Sequence, residues 1–335
     1  MNGRERVLAL LSGRPTDHLA LMPITMMFAA RWAGARYGKY ALDHRVMVGA
    51  QLRTAEDFGF DHVSAITETR EAPDCGAAVR FFDDQPWAID ESRARLADKG
   101  EIDRLAMPDP SATGHMHDRV LGLRLMKERV GDHRVVEGWV EGPCGASADL
   151  RGINSLMLDF YDDAPFVKRL FEFVVELALR FGKAQVDAGA DVIGIGDPAA
   201  SLVGPRIYED FVWEAEKRLV DGLRAAGARV RLHICGDTRR ILGAIARLGC
   251  DVVDVDSKVP MSEARLRLGE DQVLLGGIDP VRVLQNGAPD SVEAAVAEAH
   301  RHAGAAFIVG AGCEVPPDTP RENLERLALY ARSHK

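Results

Sequence analysis

Short runs of Val, Ile and Leu alternate along the chain with longer segments whose apolar residues recur every three or four positions. The short runs are typical of buried strands, and the amphipathic segments are typical of helices that cover a sheet. The predicted strands span residues 21–26, 62–67, 135–140, 191–197, 229–235, 251–256, 272–279 and 306–310. The clearest predicted helices span residues 164–188, 205–225, 238–248 and 292–303.

This alternation predicts an α/β protein with a parallel sheet, and eight is the number of strands that closes into a (β/α)8 TIM barrel. A doubly wound open sheet is the alternative, but no Gly-x-Gly-x-x-Gly follows the first predicted strand. Residues 1–40 predict an N-terminal extension that caps the barrel. Residues 68–134 are too long for one crossover and predict an insertion after strand two, packed over the barrel mouth. No Gly/Ser-rich or Pro-rich linker divides the chain, so we predict one domain over residues 1–335.

Composition narrows the functional classes. The 335 residues include 42 Lys and Arg against 51 Asp and Glu, a net charge of −9, and 47% are hydrophobic. An acidic chain without a basic block argues against a nucleic-acid partner or an anionic membrane. No apolar run approaches the roughly 20 residues that span a bilayer. An odd set of five cysteines in a chain of this length favours a reducing compartment, so we expect a cytoplasmic protein.

In TIM barrels the functional groups lie at the carboxyl ends of the strands, where the following loops converge. The polar residues at the predicted strand ends are Glu68, Glu141, Asp197, His233, Cys235, Asp256, Asp279 and Cys313. An Asp after a strand is also the usual N-cap of the next helix, and this alternative stays open for Asp256 and Asp279.

Three of these strand-end residues predict a metal site. His233 and Cys235 are two positions apart on one strand, so their side chains point to the same face, toward the barrel axis. Cys313 follows the eighth strand among glycines that allow close approach. A His and two Cys suit Zn²⁺ and leave one of its four positions open, as in catalytic zinc sites. For the His-x-Cys pair alone, a buried thiol beside a hydrogen-bonded His is the alternative.

The segments around these residues are distinctive. They read His-Ile-Cys-Gly-Asp at 233–237 and Gly-Ala-Gly-Cys-Glu-Val-Pro-Pro-Asp-Thr-Pro at 310–320, with Glu-Gly-Pro at 141–143 after strand three. The chain thus resembles the uroporphyrinogen decarboxylase superfamily. Its His-x-Cys and distant Cys resemble the zinc motif of that superfamily's corrinoid-dependent methyltransferases, such as methylcobalamin:coenzyme M methyltransferases.

The chain departs from true uroporphyrinogen decarboxylases, which resemble one another in an Arg-Gln-Ala-Gly-Arg-Tyr segment that holds substrate carboxylates. The nearest match, Ala-Arg-Trp-Ala-Gly-Ala-Arg-Tyr at 30–37, lacks the first Arg and the Gln. Those decarboxylases also act without a metal. A decarboxylase of this type is therefore the second hypothesis, and a non-catalytic corrinoid-binding or metal-binding accessory protein is the third.

The resemblance implies a zinc enzyme that moves a methyl group between a corrinoid, carried by a small corrinoid-binding protein, and a thiol, a folate or a methylated small molecule. Met26, Met27 and Phe28 after strand one are candidates for a wall against the corrin, with a core role as the alternative. We expect Glu141 or Asp197 to fill the fourth zinc position or to orient His233, with loop capping as the alternative. The sequence does not decide whether the protein forms a homo-oligomer.

Overall fold

Eight parallel strands form the centre of the molecule in the computed structural model, which describes residues 1–68 and 71–335. They are β1 (Ala20–Leu21), β2 (His62–Ser64), β3 (Val135–Glu141), β4 (Val192–Gly196), β5 (Arg229–His233), β6 (Val252–Val255), β7 (Val273–Gly276) and β8 (Phe307–Val309). Hydrogen-bonded neighbours follow the order β1, β8, β7, β6, β5, β4, β3, β2. The predicted TIM barrel is confirmed.

Helices surround the barrel. They are α1 (Gly3–Leu10), α2 (Met27–Trp32), α3 (Tyr37–Leu42), α4 (His44–Phe58), α5 (His115–Val130), α6 (Pro143–Arg151), α7 (Ile153–Asp162), α8 (Ala164–Asp187), α9 (Gly204–Ile207), α10 (Trp213–Ala225), α11 (Leu242–Ile245), α12 (Met261–Leu268), α13 (Pro289–Ala303) and α14 (Arg321–Ser333). Shorter 3₁₀ turns span Ala72–Cys75, Glu91–Arg93, Lys99–Arg104 and Pro198–Ser201, and π-helical turns span Tyr208–Val212 and Pro280–Gln285. In the described part of the chain, no helix is long and apolar enough to cross a membrane.

Two predicted helices differ from the structure. The segment 205–225 is divided by the π-helical turn between α9 and α10. The segment 238–248 keeps only α11 as an α-helix, because the backbone continues through tighter bonds such as Arg247 N–H to Ala244 O at 3.0 Å. Seven of the eight predicted strands are too long at their carboxyl ends, and only β3 extends one residue further, to Glu141. The excess residues turn into the loops of the mouth: Ile24 O already accepts from Val315 N–H at 2.9 Å.

The barrel has a seam between β1 and β2. No ladder joins these strands in the described residues; instead Asp61 N–H donates to Leu21 O at 3.0 Å. The Leu21 N–H donates to the Asp61 carboxylate at 2.8 Å, and Arg6 on α1 pairs with the same carboxylate at 2.6 Å. The N-terminal extension therefore completes the closure with side chains.

The extension and the insertion cover opposite ends of the barrel. Val7 of α1 packs against interior residues near the amino ends of the strands. The insertion carries a short hairpin, Val79–Arg80 with Ala88–Ile89, and ends in α5. It contacts the carboxyl ends of the strands, because Trp87 N–H donates to Glu68 and Glu141 N–H donates to Glu71, each at 2.9 Å. The insertion therefore lies over the barrel mouth, as the sequence predicted.

The barrel interior is built in layers, because alternate residues of each strand point inward. The lowest layer is aliphatic and is formed by Val135, Val192, Val252, Val273 and Ile308. The layer above it contains Glu137, Arg231 and Asp254, all buried. Trp139 lies next on β3, and a Cβ at Gly194 would stand 2.4 Å from its indole ring. Gly194 on β4 therefore makes room for that indole.

Candidate metal centre

His233, Cys235 and Cys313 meet at the mouth of the barrel. His233 is the last residue of β5, Cys235 follows two residues later, and Cys313 lies in the loop after β8. The ligand atoms of the three side chains lie within 4.8 Å of one another. His233 Nε2 is 3.1 Å from Cys235 Sγ, and the two sulfurs are 3.9 Å apart. The structure brings together all three residues that the sequence nominated.

The spacing of the two sulfurs fits a tetrahedral metal. Two sulfurs bound to one Zn²⁺ at about 2.3 Å are separated by about 3.8 Å in tetrahedral geometry, close to the spacing of Cys235 and Cys313. A thiolate pair with an imidazole is a soft donor set that suits zinc and provides three of four positions. The three side chains therefore suit Zn²⁺ as three of its four ligands.

Close backbone packing brings the Cys313 loop to the site. Gly312 N–H donates to Ile278 O at 2.8 Å, which fastens this loop to the segment after β7. A Cβ at Gly312 would lie 2.4 Å from the backbone nitrogen of Ser257, after β6. Only glycine allows the loop to approach that closely, as the neighbouring glycines in the sequence indicated.

The three side chains of the triad shift one another's pKa values. A hydrogen bond from Cys235 and the neighbouring His233 lower the pKa of Cys313 to about 5, although burial acts in the opposite direction. Burial opposes charge on His233, but the Asp254 carboxylate and the two thiol groups raise the pKa of this imidazole well above its usual value. The lowered pKa of Cys313 favours the thiolate, which is the form that binds zinc. The hydrogen bond with Cys313 and burial raise the pKa of Cys235. Metal binding at this site would therefore release protons from Cys235 and His233.

The second nitrogen of His233 faces Asp254. His233 Nδ1 lies 3.3 Å from Asp254 Oδ2 and 3.3 Å from the Asp254 carbonyl oxygen. Glu141 or Asp197 is predicted to orient His233 or to fill the fourth zinc position, whereas the carboxylate that faces Nδ1 in the structure is that of Asp254. The register explains why, since His233 and Asp254 are direct neighbours across β5 and β6. The available signal was a charged residue inside an otherwise apolar strand, which an inspection of strand ends alone does not detect.

Asp197 caps a helix that follows a different strand. Its carboxylate accepts from Cys144 N–H at 3.1 Å and from Gly145 N–H at 2.7 Å, both in the first turn of α6. It also shares a hydrogen bond with Glu216 of α10, which in turn accepts from the Tyr208 hydroxyl. Burial, above all, raises the pKa of Asp197 to about 7 and that of Glu216 well above its usual range. The expected catalytic role of Asp197 stays a prediction beside this structural one.

The carboxyl pair predicts a pH dependence of stability. In an unfolded chain both groups titrate near pH 4, whereas in the folded protein Asp197 titrates at about 7. The folded state therefore binds more protons between these values, and its free energy of unfolding falls as pH rises. Glu216→Gln keeps a hydrogen-bond donor without the titrating proton. As pH rises from 4, we expect the free energy of unfolding of wild type to fall relative to that of Glu216→Gln. The fall should be on the order of 1.4 kcal/mol for each unit by which folding raises the pKa of the Glu216 carboxyl. Parallel urea-unfolding curves for the two proteins between pH 4 and 8 would contradict this.

The remaining strand-end residues have separate contacts. Glu141, the last residue of β3, has its carboxylate beside Gly145 and Asp197, and its predicted role stays open to test. The Asp256 carboxylate accepts from Gly236 N–H at 2.7 Å and Lys258 N–H at 2.8 Å. Asp279 is the N-cap of the turn that follows it, accepting from Val281 and Arg282 N–H groups. For Asp279 the structure shows the capping alternative. Asp256 instead holds its own turn and the loop after β5, because the N-cap of α12 is Pro260.

The candidates for a corrin wall divide into two kinds. Phe28 is 2% exposed and packs against Trp32 and Phe58, so this side chain serves the core. Met26 and Met27 are half-buried. Met26 packs beside Ile66 and Trp139, near the axis of the barrel mouth. A position against a corrin therefore remains a prediction for the two methionines and is disfavoured for Phe28.

Glu314 directly follows Cys313 and is a mouth residue that the pattern of strand ends misses. Its carboxylate accepts from Met27 N–H at 2.7 Å, and burial together with the nearby Glu68 and Cys313 raises its pKa to about 8. Glu68 itself accepts from the Tyr37 hydroxyl. The mouth between β1, β2 and β8 is therefore lined by carboxyl groups on the side of Cys313.

The similarity of this chain to known proteins extends over nearly its whole length. The family profile of uroporphyrinogen decarboxylase (URO-D) matches residues 2–334. The chain belongs to the uroporphyrinogen decarboxylase family. Within that family it is 27% identical over 340 residues to "Methylcobamide:CoM methyltransferase MtbA" of Methanosarcina mazei, which covers 99% of this chain and 98% of the relative. It is 26% identical over 334 residues to "Methylcobamide:CoM methyltransferase MtaA" of Methanosarcina barkeri, with 97% and 96% covered.

A solved structure agrees with this family membership at the level of the fold. A methyltransferase from Methanosarcina mazei superposes with a TM-score of 0.90 at 23% sequence identity, covering 99% of this chain and 98% of the other. The resemblance to the methyltransferase branch of the uroporphyrinogen decarboxylase family is confirmed by these relatives.

Proposed function

We propose that this member of the uroporphyrinogen decarboxylase family is a cytoplasmic, zinc-dependent methyltransferase. It moves a methyl group between a corrinoid, carried by a small corrinoid-binding protein, and a thiol, a folate or a methylated small molecule. The observation that carries the proposal is the convergence of His233, Cys235 and Cys313 within 4.8 Å at the barrel mouth. Relatives that match nearly the whole chain are named methylcobamide:CoM methyltransferases. A metal-free decarboxylase would have no use for this donor set.

The residues define what the site would do. His233, Cys235 and Cys313 would hold Zn²⁺ and leave one position toward the mouth. Zinc, when bound, keeps an incoming thiol in its nucleophilic thiolate form near neutral pH. With a thiol acceptor, a sulfur–carbon bond forms while the cobalt–carbon bond of methyl-Co(III) breaks, and the bonding electron pair leaves with Co(I). The thiol proton passes to solvent.

Exposed apolar side chains around the mouth support the proposal of a corrinoid-carrying partner. Phe81 and Phe82 of the insertion are 58% and 42% exposed, Leu202 after β4 is 66% exposed, and Val281 after β7 is 49% exposed. Contiguous apolar patches are typical of binding surfaces, whereas single exposed apolar side chains are ordinary, so these four support a partner only through their common position. All four lie on segments that follow the carboxyl ends of strands, which is the side from which a corrin must approach the triad.

The reaction can be tested with methylcobalamin and a panel of small thiols. We expect the methyl-Co(III) absorbance to decay to that of demethylated cobalamin, and zinc removal by a chelator to stop this decay. A free thiol with a pKa near 8.5 is only about 3% ionised at pH 7, so loss of zinc reduces the rate by at least roughly 30-fold through ionisation alone. Adding zinc back should restore the rate.

Uroporphyrinogen serves as the opposing substrate in the same experiment. Decarboxylation of uroporphyrinogen that is unaffected by zinc removal, without zinc-dependent demethylation of methylcobalamin, would overturn the proposal in favour of the decarboxylase hypothesis. Stoichiometric zinc and cobalamin binding without turnover of either substrate would instead favour the accessory-protein hypothesis.

A further inference from the structure

A buried charged layer lies directly below the triad, inside the barrel. It consists of Glu137 on β3, Arg231 on β5 and Asp254 on β6, and none of these side chains is more than 1% exposed. Arg231 donates to Asp254 Oδ2 through Nη2 at 2.6 Å and through Nε at 3.1 Å. Its Nη1 donates to Glu137 Oε1 at 3.0 Å. One guanidinium therefore bridges two buried carboxylates.

The layer ends at the metal site. Asp254 Oδ2, the oxygen that Arg231 holds, is also the one that lies 3.3 Å from His233 Nδ1. At the other end, the Trp139 indole N–H donates to Glu137 Oε2 at 3.1 Å, and the Arg231 guanidinium stacks over the Trp139 ring. Asp254 therefore has one fixed position, with its contacting oxygen aimed at the imidazole.

A charged layer is unusual inside a TIM barrel. Interiors of TIM barrels are ordinarily filled by branched aliphatic side chains, and the layer below is filled in this way. Replacing a buried ion pair by apolar residues of similar volume is often neutral or stabilising. Moreover, Asp254 Oδ1 is buried and finds no hydrogen-bond partner among the described residues. Unsatisfied buried oxygens are rare, and here the affected carboxylate is the one that touches His233.

We propose that Asp254, held in place by Arg231, is the positioning residue that orients His233 toward the metal. This inference rests on the proposed function, because it takes the triad to be a zinc site. A carboxylate at Nδ1 keeps the proton on that nitrogen, leaves the Nε2 lone pair for the metal and fixes the plane of the ring. Such partners of ligand histidines typically contribute 10- to 100-fold to metal affinity.

The same two strands offer a matched control. Arg229 and Asp251 form a second Arg–Asp pair between β5 and the residue before β6, with Nη1 and Oδ1 2.9 Å apart. This pair lies at the amino ends of the strands and away from His233. Asp254→Asn and Asp251→Asn therefore remove the same charge from equivalent cross-strand pairs, and only the first faces the triad.

The experiment measures zinc affinity by competition with a chromophoric chelator, using the full-length chain. We expect Asp254→Asn to bind zinc 10- to 100-fold more weakly than wild type, and Asp251→Asn to stay within about threefold. With Co²⁺ in place of zinc, the ligand-field bands in the visible spectrum should shift in Asp254→Asn and not in Asp251→Asn. A purely structural role would not move these bands in a protein that remains folded.

If Asp254→Asn fails to fold, Arg231→Lys gives the same readout. Lysine keeps the charge but cannot hold Asp254 through two nitrogens, so zinc affinity should still fall by several-fold. Wild-type zinc affinity and Co²⁺ bands in the folded Asp254 variant, or in Arg231→Lys when it replaces that variant, would overturn this inference alone. A wild-type chain that binds no stoichiometric zinc would overturn the proposed function itself.

Discussion

Replacing Cys313 by Ala is expected to remove the bound zinc and to abolish methyl transfer. The variant keeps His233 and Cys235 but loses the sulfur 3.9 Å from Cys235, and with it the thiol whose pKa is lowered to about 5. Two ligands do not hold zinc tightly, so the loss of activity should exceed the roughly 100-fold that changes to residues behind the ligands produce. Metal analysis of the purified variant and the methylcobalamin assay check this expectation.

Cys250→Ala is the control for that experiment. Cys250 is buried just before β6 and belongs to the core. Its removal should leave close to one zinc per chain and normal transfer. Stoichiometric zinc that persists in both Cys313→Ala and Cys235→Ala would place the metal elsewhere and contradict the triad.

The second large effect concerns stability. Arg231→Met would leave the carboxylates of Glu137 and Asp254 buried without their cation. Removing one partner of a buried ion pair costs about 3–5 kcal/mol, because the remaining charge is uncompensated in a medium of low polarity. We therefore expect a free energy of unfolding lower by that amount. The urea midpoint should fall while the slope of the transition stays unchanged.

Arg229→Met removes the corresponding guanidinium on the same strand, but this side chain is 40% exposed and its ion pair is screened by water. The expected change is within about 1 kcal/mol. The two variants should therefore differ strongly although each replaces one Arg of β5 by Met. Equal unfolding midpoints would show that the buried layer is not held together by the charge of Arg231.

Much of the architecture and the metal triad could be predicted, because both depend on local spacing. Apolar runs separated by amphipathic segments favoured a parallel barrel over a doubly wound open sheet, and two residues at positions i and i+2 had to share a face. Cys313 joined them because the ends of all barrel strands converge. No structural information beyond strand order was needed to bring His233, Cys235 and Cys313 together.

The residues around the triad depend on pairings that spacing does not encode. Asp254 faces His233 because of the register between β5 and β6, and Arg231 reaches Glu137 across an intervening strand. An Asp after a strand looks the same in the sequence whether it serves its own loop or, as Asp197 does, a helix that follows the preceding strand. These assignments need side-chain positions, which a single sequence does not provide.

The seam between β1 and β2 has a consequence for how the barrel assembles. Leu21 reaches Asp61 across only about 40 positions of chain, whereas its other neighbour, Val309, pairs with it across almost the whole sequence. Closing long loops is the slow part of folding, since their entropy is lost before the contacts form. The contacts between Leu21 and Asp61 can thus form early in folding. The ladder between β1 and β8 closes a much longer loop and forms later. The mouth that holds Cys313 is therefore completed only when the two ends of the chain have met.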